Sequence, residues 1–222
     1  MAVTMADISH LRKMSGAGMM DSKKALEEAG NDFDKAMEII RKKGQAVAAK
    51  RSDREASEGC VLAAENAGFA AIVALKCETD FVAKNEQFVA LTQDILNVAM
   101  SVKPETVEAL LASPLADGRA IQEHITDRVG VTGEKMELGF YQFVNGASSV
   151  SYIHPGNKLA TIVAFNEAVD HTVARDVAMQ VAAMNPVAVR AEEVPQNVID
   201  TEMEIARDKA RQSGKPENLL DR

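Results

Sequence analysis

The first 44 residues carry apolar side chains at three-to-four spacing, the period of a helix that buries one face. The apolar faces are separated by short polar and glycine-containing segments. This spacing predicts three short helices over residues 7–14, 21–29 and 33–43. Residues 1–44 are therefore predicted to form a compact three-helix module.

Aspartate and glycine residues mark the predicted helix ends. Asp21 and Asp32 can accept backbone hydrogen bonds at a helix start, as N-cap residues do. Gly30 and Gly44 suit the left-handed conformation that often follows a helix. Residues 45–58 are rich in alanine and charge and lack an apolar face, so they are predicted to form a partly helical linker.

Beyond residue 58 the pattern changes to runs of β-branched and small apolar residues, which are typical of buried strands. Two such runs precede an amphipathic helix, and a later set of runs precedes a second helix of similar rhythm. The predicted strands cover residues 59–64, 69–75, 140–144, 150–154 and 159–165, and the helices cover 86–100 and 171–184, with shorter helical segments at 106–111 and 120–129. We therefore predict a duplicated α+β core.

Each copy of this core is predicted to be an antiparallel sheet with helices on one face. Subdomain N would span residues 59–139, and a partial subdomain C would span 140–194. Residues 195–222 predict an incomplete helical hairpin, with a helix over 195–212, a turn, and a second arm from Glu217. Because one amphipathic arm alone leaves its apolar stripe in water, we expect the chain to be a fragment of a longer protein.

Composition and charge narrow the function classes. The chain is 46% apolar and 26% charged, as ordinary globular proteins are, and no apolar run approaches the roughly 20 residues of a membrane span. The amino terminus lacks a signal-peptide pattern, so we predict a cytoplasmic protein without membrane contact.

The formal net charge of −8 is unevenly distributed. Residues 1–55 hold 11 Lys/Arg against 9 Asp/Glu, whereas the remainder holds 14 against 24. Because nucleic-acid binding depends on neutralising phosphates, direct nucleic-acid binding is predicted to be absent. The basic segments 41–43 and 50–54 are interpreted as a solvated helical connector, with a nucleic-acid patch as the alternative.

Candidate catalytic residues are sparse, because the phosphate-loop, nucleophile-elbow and HExxH motifs are all missing. Cys77 with Asp80 and His154 could form a hydrolytic triad, but a small apolar residue at a strand end explains Cys77 as well. Glu78, Asp80 and Glu86 could be considered as a metal site, although a solvated acidic rim fits their spacing better. We predict no cofactor, no metal and free thiols at both cysteines.

Two groups of large apolar residues are unusual because they lie in polar, turn-forming segments. Phe81 lies inside the sequence TDFVAKN directly after a predicted strand, and Met19 with Met20 follows the glycine-rich link GAG. Each feature could fold into the core of its own subdomain. Alternatively, each could be an exposed anchor for a partner protein, since adaptable methionines and aromatic rings are enriched at protein interfaces.

The segments LRKMSGAGMMDSKKAL (residues 11–26) and CETDFVAK (residues 77–84) resemble the two signature motifs of the bacterial translation elongation factor Ts family. The resemblance covers the whole chain, including the strand entry YIHPG at 152–156 and the turn QSGKP at 212–216. It implies a ubiquitin-associated-like (UBA-like) three-helix module at the amino terminus. Ser15 and Ser22 depart from the Thr and Cys that are common in the family.

This resemblance implies a guanine-nucleotide exchange factor that binds the GTPase elongation factor Tu and acts without covalent chemistry. The Asp80–Phe81 pair would enter the nucleotide domain of the GTPase and disturb its magnesium and phosphate site. Met19, Met20 and His154 would contact another helix of that domain.

Arg12, beside the methionine pair, is a further expected contact to the GTPase. Two other interpretations stay open from the sequence. The three-helix module alone could bind ubiquitin-like folds or peptides, and the Cys77 triad could be hydrolytic.

Overall fold

The computed structural model describes residues 2–214. They form two compact units, and the division between them falls between Ala182 and Ala183 in the sequence. Within the described part of the chain, no helix combines the length and hydropathy that a bilayer span requires.

Three helices open the chain: α1 (Met5–Ser15), α2 (Met19–Glu28) and α3 (Phe33–Arg51). Helix α1 begins before the predicted residue 7 because Thr4 and Asp7 form a capping box, in which the Thr4 hydroxyl accepts from the Asp7 amide at 3.2 Å and the Asp7 carboxylate accepts from the Thr4 amide at 2.9 Å. Ile8, Leu11, Ala25, Leu26 and Ala36 form the buried core of the three helices.

The predicted N-caps have different outcomes. Asp32 caps α3 by accepting a hydrogen bond from the Lys35 amide at 3.1 Å, which confirms that prediction. The prediction that Asp21 starts the second helix is wrong, because Gly18 occupies the N-cap position and α2 already begins at Met19. Asp21 instead lies in the first turn of α2 and forms an ion pair with Lys43.

The prediction that Gly44 follows the end of the third helix is also wrong. Gly44 is buried inside α3, which continues to Arg51, so the first half of the predicted, partly helical linker 45–58 belongs to this helix. The physical reason is tertiary packing: a Cβ built on Gly130 of a later helix would lie 2.5 Å from the Gly44 Cα, so two glycines let the backbones touch. Val47 and Ala48 then pack against the main core.

The central sheet contains β1 (Glu58–Asn66), β2 (Phe69–Cys77) and β3 (Met136–Asn145), in the order β1-β2-β3. Both pairs are antiparallel, with Leu62 opposite Val73 and Val73 opposite Tyr141. The predicted strand at 140–144, assigned from the sequence to the second copy of the core, is thus part of a longer strand that pairs with β2 of the first copy.

A helical layer covers one face of this sheet. It consists of α4 (Asp80–Ala83), α5 (Glu86–Val102), α6 (Val107–Ala112) and α7 (Ile121–Thr132). The main core lies between this sheet and the helical layer. Its largest fully buried side chains are Phe88, Leu75, Ile95, Leu96, Leu110, Ile121, Ile125 and Val73. The Tyr141 hydroxyl, also in this core, donates to the Pro104 carbonyl at 2.8 Å.

A second sheet pairs β4 (Ser148–Ile153) with β5 (Ala160–Phe165), and α8 (His171–Met184) packs on it through Val150, Ala174 and Ala178. Helix α8 has the predicted bounds. The mixture of helices with antiparallel sheets confirms the α+β class, whereas the UBA-like character of the first module and the duplication of the core stay predictions.

The second unit contains a 3₁₀ turn (Ala191–Glu193) and α9 (Gln196–Gln212). Helix α9 starts one residue after the predicted position, and its apolar residues Ile199, Met203 and Ile205 are about 40% exposed. The predicted second arm of the hairpin, from Glu217, lies outside the described residues.

Ser22 generates a stability prediction. Its side chain is fully buried in α2, and within residues 2–214 its Oγ has no hydrogen-bond partner. Because an unsatisfied buried hydroxyl is destabilising, we expect Ser22→Ala to raise the free energy of unfolding by about 1 kcal/mol in urea denaturation. Ser15→Ala is the matched control: Ser15 Oγ donates to the Leu11 carbonyl at 2.7 Å, so its removal should lower stability. A loss of stability in Ser22→Ala would contradict this account.

Candidate protein-binding site

Helix α4 is a single helical turn that places Phe81 in solvent. Thr79 caps it by accepting a hydrogen bond from the Val82 amide at 3.4 Å. Ala83 is buried and Val82 packs on the core, whereas the Phe81 side chain is 85% exposed. The alternative that this ring folds inward is therefore wrong, and the segment predicted as a loop is a short helix.

A carboxylate from a distant part of the chain fastens the start of this turn. Glu134 accepts hydrogen bonds from the Glu78 amide at 3.2 Å, the Thr79 amide at 3.1 Å and the Thr79 hydroxyl at 2.6 Å. Glu134 follows Gly133, which ends α7 in the left-handed conformation (φ 74°). Sequence analysis missed Glu134, because nothing in its local pattern indicates a partner 55 residues earlier.

The other end of the turn leads directly into α5. Asn85 caps α5, because its Oδ1 accepts from the Gln87 amide at 3.0 Å and from the Phe88 amide at 3.3 Å. Phe88 is fully buried in the main core. The Phe81 turn, defined here as residues 79–85, is therefore fixed at both ends while its central aromatic ring stays in water.

Charged groups surround the exposed ring. Lys84 donates to the Asp80 carboxylate at 2.7 Å, and this hydrogen bond, followed by the positive charge of Lys84, lowers the pKa of Asp80. Both side chains are largely exposed, so the ion pair contributes little to stability. Its effect is to keep a charged, hydrated edge beside the Phe81 ring.

Glu78, just before the turn, is held by main-chain and side-chain donors. The Lys135 amide donates to its carboxylate at 2.6 Å, and Arg54 donates at 2.9 Å. The amide hydrogen bond is the main cause that lowers the pKa of Glu78, with Arg54 adding to it. Glu78 thus belongs to the framework of the turn.

The methionine link, defined here as residues 16–20, joins the end of α1 to the first two residues of α2, Met19 and Met20. Met19 and Met20 are 46% and 62% exposed, so the alternative that they fill the core of the module is wrong. Arg12 is exposed one turn before the end of α1, and its carbonyl accepts from the Gly16 amide at 2.8 Å. Arg12 and the two methionines therefore lie at one end of the module, available to a partner.

His154 lies in the exposed loop between β4 and β5. Its Nδ1 is 2.9 Å from the Tyr152 hydroxyl, and its amide donates to the Leu159 carbonyl at 2.8 Å. Lys158 of the same loop forms an ion pair with Glu58 at 2.7 Å and contributes to lowering the pKa of Asp80. The ion pair of Lys158 with Glu58 therefore joins the His154 loop to the first residue of β1.

The structure contradicts the hydrolytic triad. Cys77 is fully buried, its Sγ donates to the Thr79 carbonyl at 3.2 Å, and burial raises the pKa of the thiol to about 12. Its two supposed partners are engaged elsewhere, His154 with Tyr152 and Asp80 with Lys84. Cys60 and Cys77 are both free and buried.

The alternative of a metal site at Glu78, Asp80 and Glu86 gains no support. Glu78 and Asp80 are each engaged with a basic side chain. Within residues 2–214, no group of three His, Cys, Asp or Glu side chains could hold an ion. What the arrangement offers is an exposed aromatic ring, two exposed methionines and a charged rim, which are the components of a protein-binding surface.

A family model and several known proteins that this chain resembles all carry the same family name. Residues 78–222 match the family described as Elongation factor TS. The chain is 74% identical over 222 residues to Elongation factor Ts of Porphyromonas gingivalis, covering all of this chain and 81% of that protein. It is 56% identical over 223 residues to Elongation factor Ts of Azobacteroides pseudotrichonymphae, with the same coverage, and 60% identical over 212 residues to that of Bacteroides fragilis, covering 95% of this chain and 64% of the relative.

Burial of Cys77 predicts an unreactive thiol. With a pKa of about 12, the native thiol holds roughly 10³-fold less thiolate than an ordinary cysteine near pH 8. We expect iodoacetamide to alkylate native Cys77 at least that much more slowly than Cys77 of the guanidinium-unfolded chain, measured by peptide mass spectrometry. An exposed Ser101→Cys replacement controls for reagent activity. Rapid alkylation of native Cys77 would restore the hydrolase hypothesis.

Glu134 generates a prediction about the order of the Phe81 turn. Glu134→Ala leaves three donors without their acceptor, so we expect a loss of about 2 kcal/mol in the free energy of unfolding. Hydrogen exchange of the Glu78 and Thr79 amides should accelerate at least tenfold. The control is Glu137→Ala, because Glu137 makes only half-exposed ion pairs with Lys76 and Lys135. Equal exchange rates in both variants would show that Glu134 does not fasten the turn.

Proposed function

The chain belongs to the elongation factor Ts family, and from this membership we propose that it is the guanine-nucleotide exchange factor of the GTPase elongation factor Tu in translation elongation. It would act in the cytoplasm by binding the GTPase, without covalent chemistry and without a cofactor, nucleic acid or membrane. The observation that carries the proposal is the 85% exposed Phe81 ring on a turn fixed at both ends.

The proposed mechanism uses Phe81 as a wedge. Transfer of a phenylalanine side chain from water into a protein pocket contributes about 2–3 kcal/mol of binding free energy. We propose that the Asp80–Phe81 pair enters the nucleotide domain of the GTPase and displaces elements that support its magnesium and phosphate site. Asp80 is negatively charged at neutral pH, and the hydrogen bond from Lys84, which lowers its pKa, favours this charged form further.

Exchange then follows from thermodynamic coupling between two ligands of the GTPase. The factor binds the nucleotide-free, magnesium-poor conformation more tightly than the GDP-bound one, so its binding weakens GDP binding. A coupling free energy of ~4 kcal/mol corresponds to about a 10³-fold loss of nucleotide affinity. The coupling is reciprocal, so GDP with magnesium must in turn expel the factor.

The remaining site residues would provide affinity and orientation. We propose that Met19 and Met20 contact a helix of the nucleotide domain, with Arg12 beside them and His154 approaching from the β4–β5 loop. Methionine suits this role because its flexible thioether adapts to the partner surface. All four side chains belong to exposed residues, as such contacts require.

The finer description of the fold is part of the same proposal. Residues 1–44 would be a UBA-like module, 59–139 and 140–194 the two related subdomains of the core, and 195–222 the first part of a helical hairpin. The three packed helices of the module support the first assignment. The two antiparallel sheets, each covered by helices, support the second.

The central test of the proposal is Phe81→Ala. We expect this variant to keep its circular dichroism spectrum and thermal midpoint, because the ring is exposed, and to lose roughly 30- to 150-fold of its GDP-release activity, the equivalent of about 2–3 kcal/mol. Release of a fluorescent GDP analogue from the GTPase, followed by stopped flow, is the measurement.

A matched control separates this wedge from surface hydrophobicity in general. Phe140→Ala removes another exposed aromatic ring, 44% exposed on β3 and outside the proposed site, and should leave release unchanged. A factor that used only its three-helix module would not respond to either change. Normal release by Phe81→Ala would therefore overturn the proposed mechanism.

A further inference from the structure

One arginine of α7 contacts the framework of the Phe81 turn. Arg128 donates from Nη1 to Gln87 Oε1 at 2.6 Å and from Nη2 to Asn85 Oδ1 at 3.2 Å. Asn85 is the residue whose side chain caps α5 immediately after the turn. The guanidinium therefore supports the exit of the turn, as Glu134 supports its entry.

The same guanidinium lies against the methionine link. A Cβ built on Gly16 would lie 3.5 Å from Arg128 Nη1, 3.7 Å from Val131 Cγ2 and 3.9 Å from Gln87 Oε1. Gly16 ends α1 in the left-handed conformation (φ 70°) and lies three residues before Met19. Arg128 thus donates hydrogen bonds to the exit of the Phe81 turn and lies beside the first residue of the methionine link.

A second contact fixes the three-helix module to the same helix. Gly130 of α7 touches Gly44 of α3, with a built Gly44 Cβ 3.4 Å from the Gly130 Cα and 3.3 Å from the Thr126 carbonyl oxygen. Two separate contacts to α7, one from the link and one from α3, restrict rotation of the module against the core. The orientation of the methionines relative to Phe81 is therefore set by α7.

The chemistry of Arg128 agrees with a geometric role. The Arg128 side chain is half-buried, and desolvation by this burial lowers the pKa of the guanidinium. Desolvation offsets much of what its hydrogen bonds contribute, so stability alone is a weak reason for an arginine here. A planar fork can hold two acceptors at a fixed angle, which a lysine ammonium on a flexible stem cannot do.

We propose that Arg128 is a positioning residue that holds the methionine link and the Phe81 turn at a fixed separation, so that both bind the partner as one preorganised surface. This inference rests on the proposed exchange function. When two contacts are rigidly joined, formation of the first makes the second intramolecular. A preorganised surface also avoids the ordering cost of bringing the contacts into register on binding.

The test is Arg128→Met, which keeps a similar stem and removes the guanidinium. GDP release from the GTPase is measured against the concentration of the factor. We expect the half-saturating concentration to rise about tenfold, while the maximal release rate changes less than twofold because Phe81 is intact. Arg128→Lys should recover part of this loss. Arg119→Met is the control, because it also removes a guanidinium that contacts α7. The ion pairs of Arg119 are with Glu123 and Asp127 of that helix.

Non-additivity provides a readout that a general loss of stability would not change. In the wild-type background, Met20→Ala should raise the half-saturating concentration about tenfold. In the Arg128→Met background the same change should raise it less than threefold, since the link no longer binds in register with Phe81. Equal effects of Met20→Ala in both backgrounds would overturn the inference.

A distance measurement tests the positioning role directly in the free protein. Spin labels at Lys13→Cys in α1 and Gln93→Cys in α5 lie on exposed positions, and the native cysteines are buried. We expect a narrow distance distribution in the wild type and a clearly broader one in Arg128→Met. Unchanged distances together with an unchanged half-saturating concentration would overturn the inference and leave the exchange function standing. Failure of the exchange function would be recognised separately, because the unaltered protein would then not accelerate GDP release from the GTPase at any concentration.

Discussion

An isolated four-residue helix is unstable in water, and the candidate site of this protein depends on the contacts that stabilise α4. One helical turn fixes several backbone dihedrals for very few hydrogen bonds, so it is unstable in isolation. In this chain the Thr79 hydroxyl caps the turn by accepting a hydrogen bond from the Val82 amide. The same hydroxyl donates to the Glu134 carboxylate, and Ala83 of the turn is buried. The exposed position of Phe81 is a consequence of these three attachments.

The same logic explains why the attachments come from distant parts of the chain. The Phe81 ring contributes almost nothing to the core, so the stability of its turn must be supplied by neighbours. Glu134 follows α7, and Arg128 within α7 supports Asn85 at the exit of the turn. Helix α7 also touches α3 through paired glycines. One helix thereby orders both the turn and the three-helix module.

The sequence predicted those features that local physical chemistry decides. Runs of β-branched and small apolar residues located the strands, and the amphipathic period predicted the observed bounds of α8. The α+β class and the Asp32 cap followed in the same way. The prediction for Asp21 failed because Gly18 takes the N-cap position and α2 begins two residues earlier. The prediction for Gly44 failed because a long-range contact overrode a good local signal, since Gly44 packs against a second glycine inside a helix.

The residues of the candidate site also fall into two groups, those that the sequence could predict and those that it could not. Phe81 and the methionines could be predicted, because an apolar side chain in a polar segment is visible in the sequence itself. Glu134 and Arg128 could not, since their partners lie 55 and 41 residues away and a single charged residue in an amphipathic helix has the pattern of a solvated one. Sequence patterns therefore indicated the exposed apolar groups of the candidate site, and the structure was needed for the groups that hold them in place.

A wedge that opens another protein must be stiffer than the elements it displaces, because binding energy deforms the softer of the two bodies. A flexible Phe81 loop would fold back or reorient on contact, and the free energy of burying its ring would then be lost to ordering the loop. The hydrogen bonds from Glu78 and Thr79 to Glu134, and the Asn85 cap of α5, remove that freedom before the partner arrives. In the proposed mechanism, the rigidity of the turn is the property that would let an exposed ring act on a second molecule.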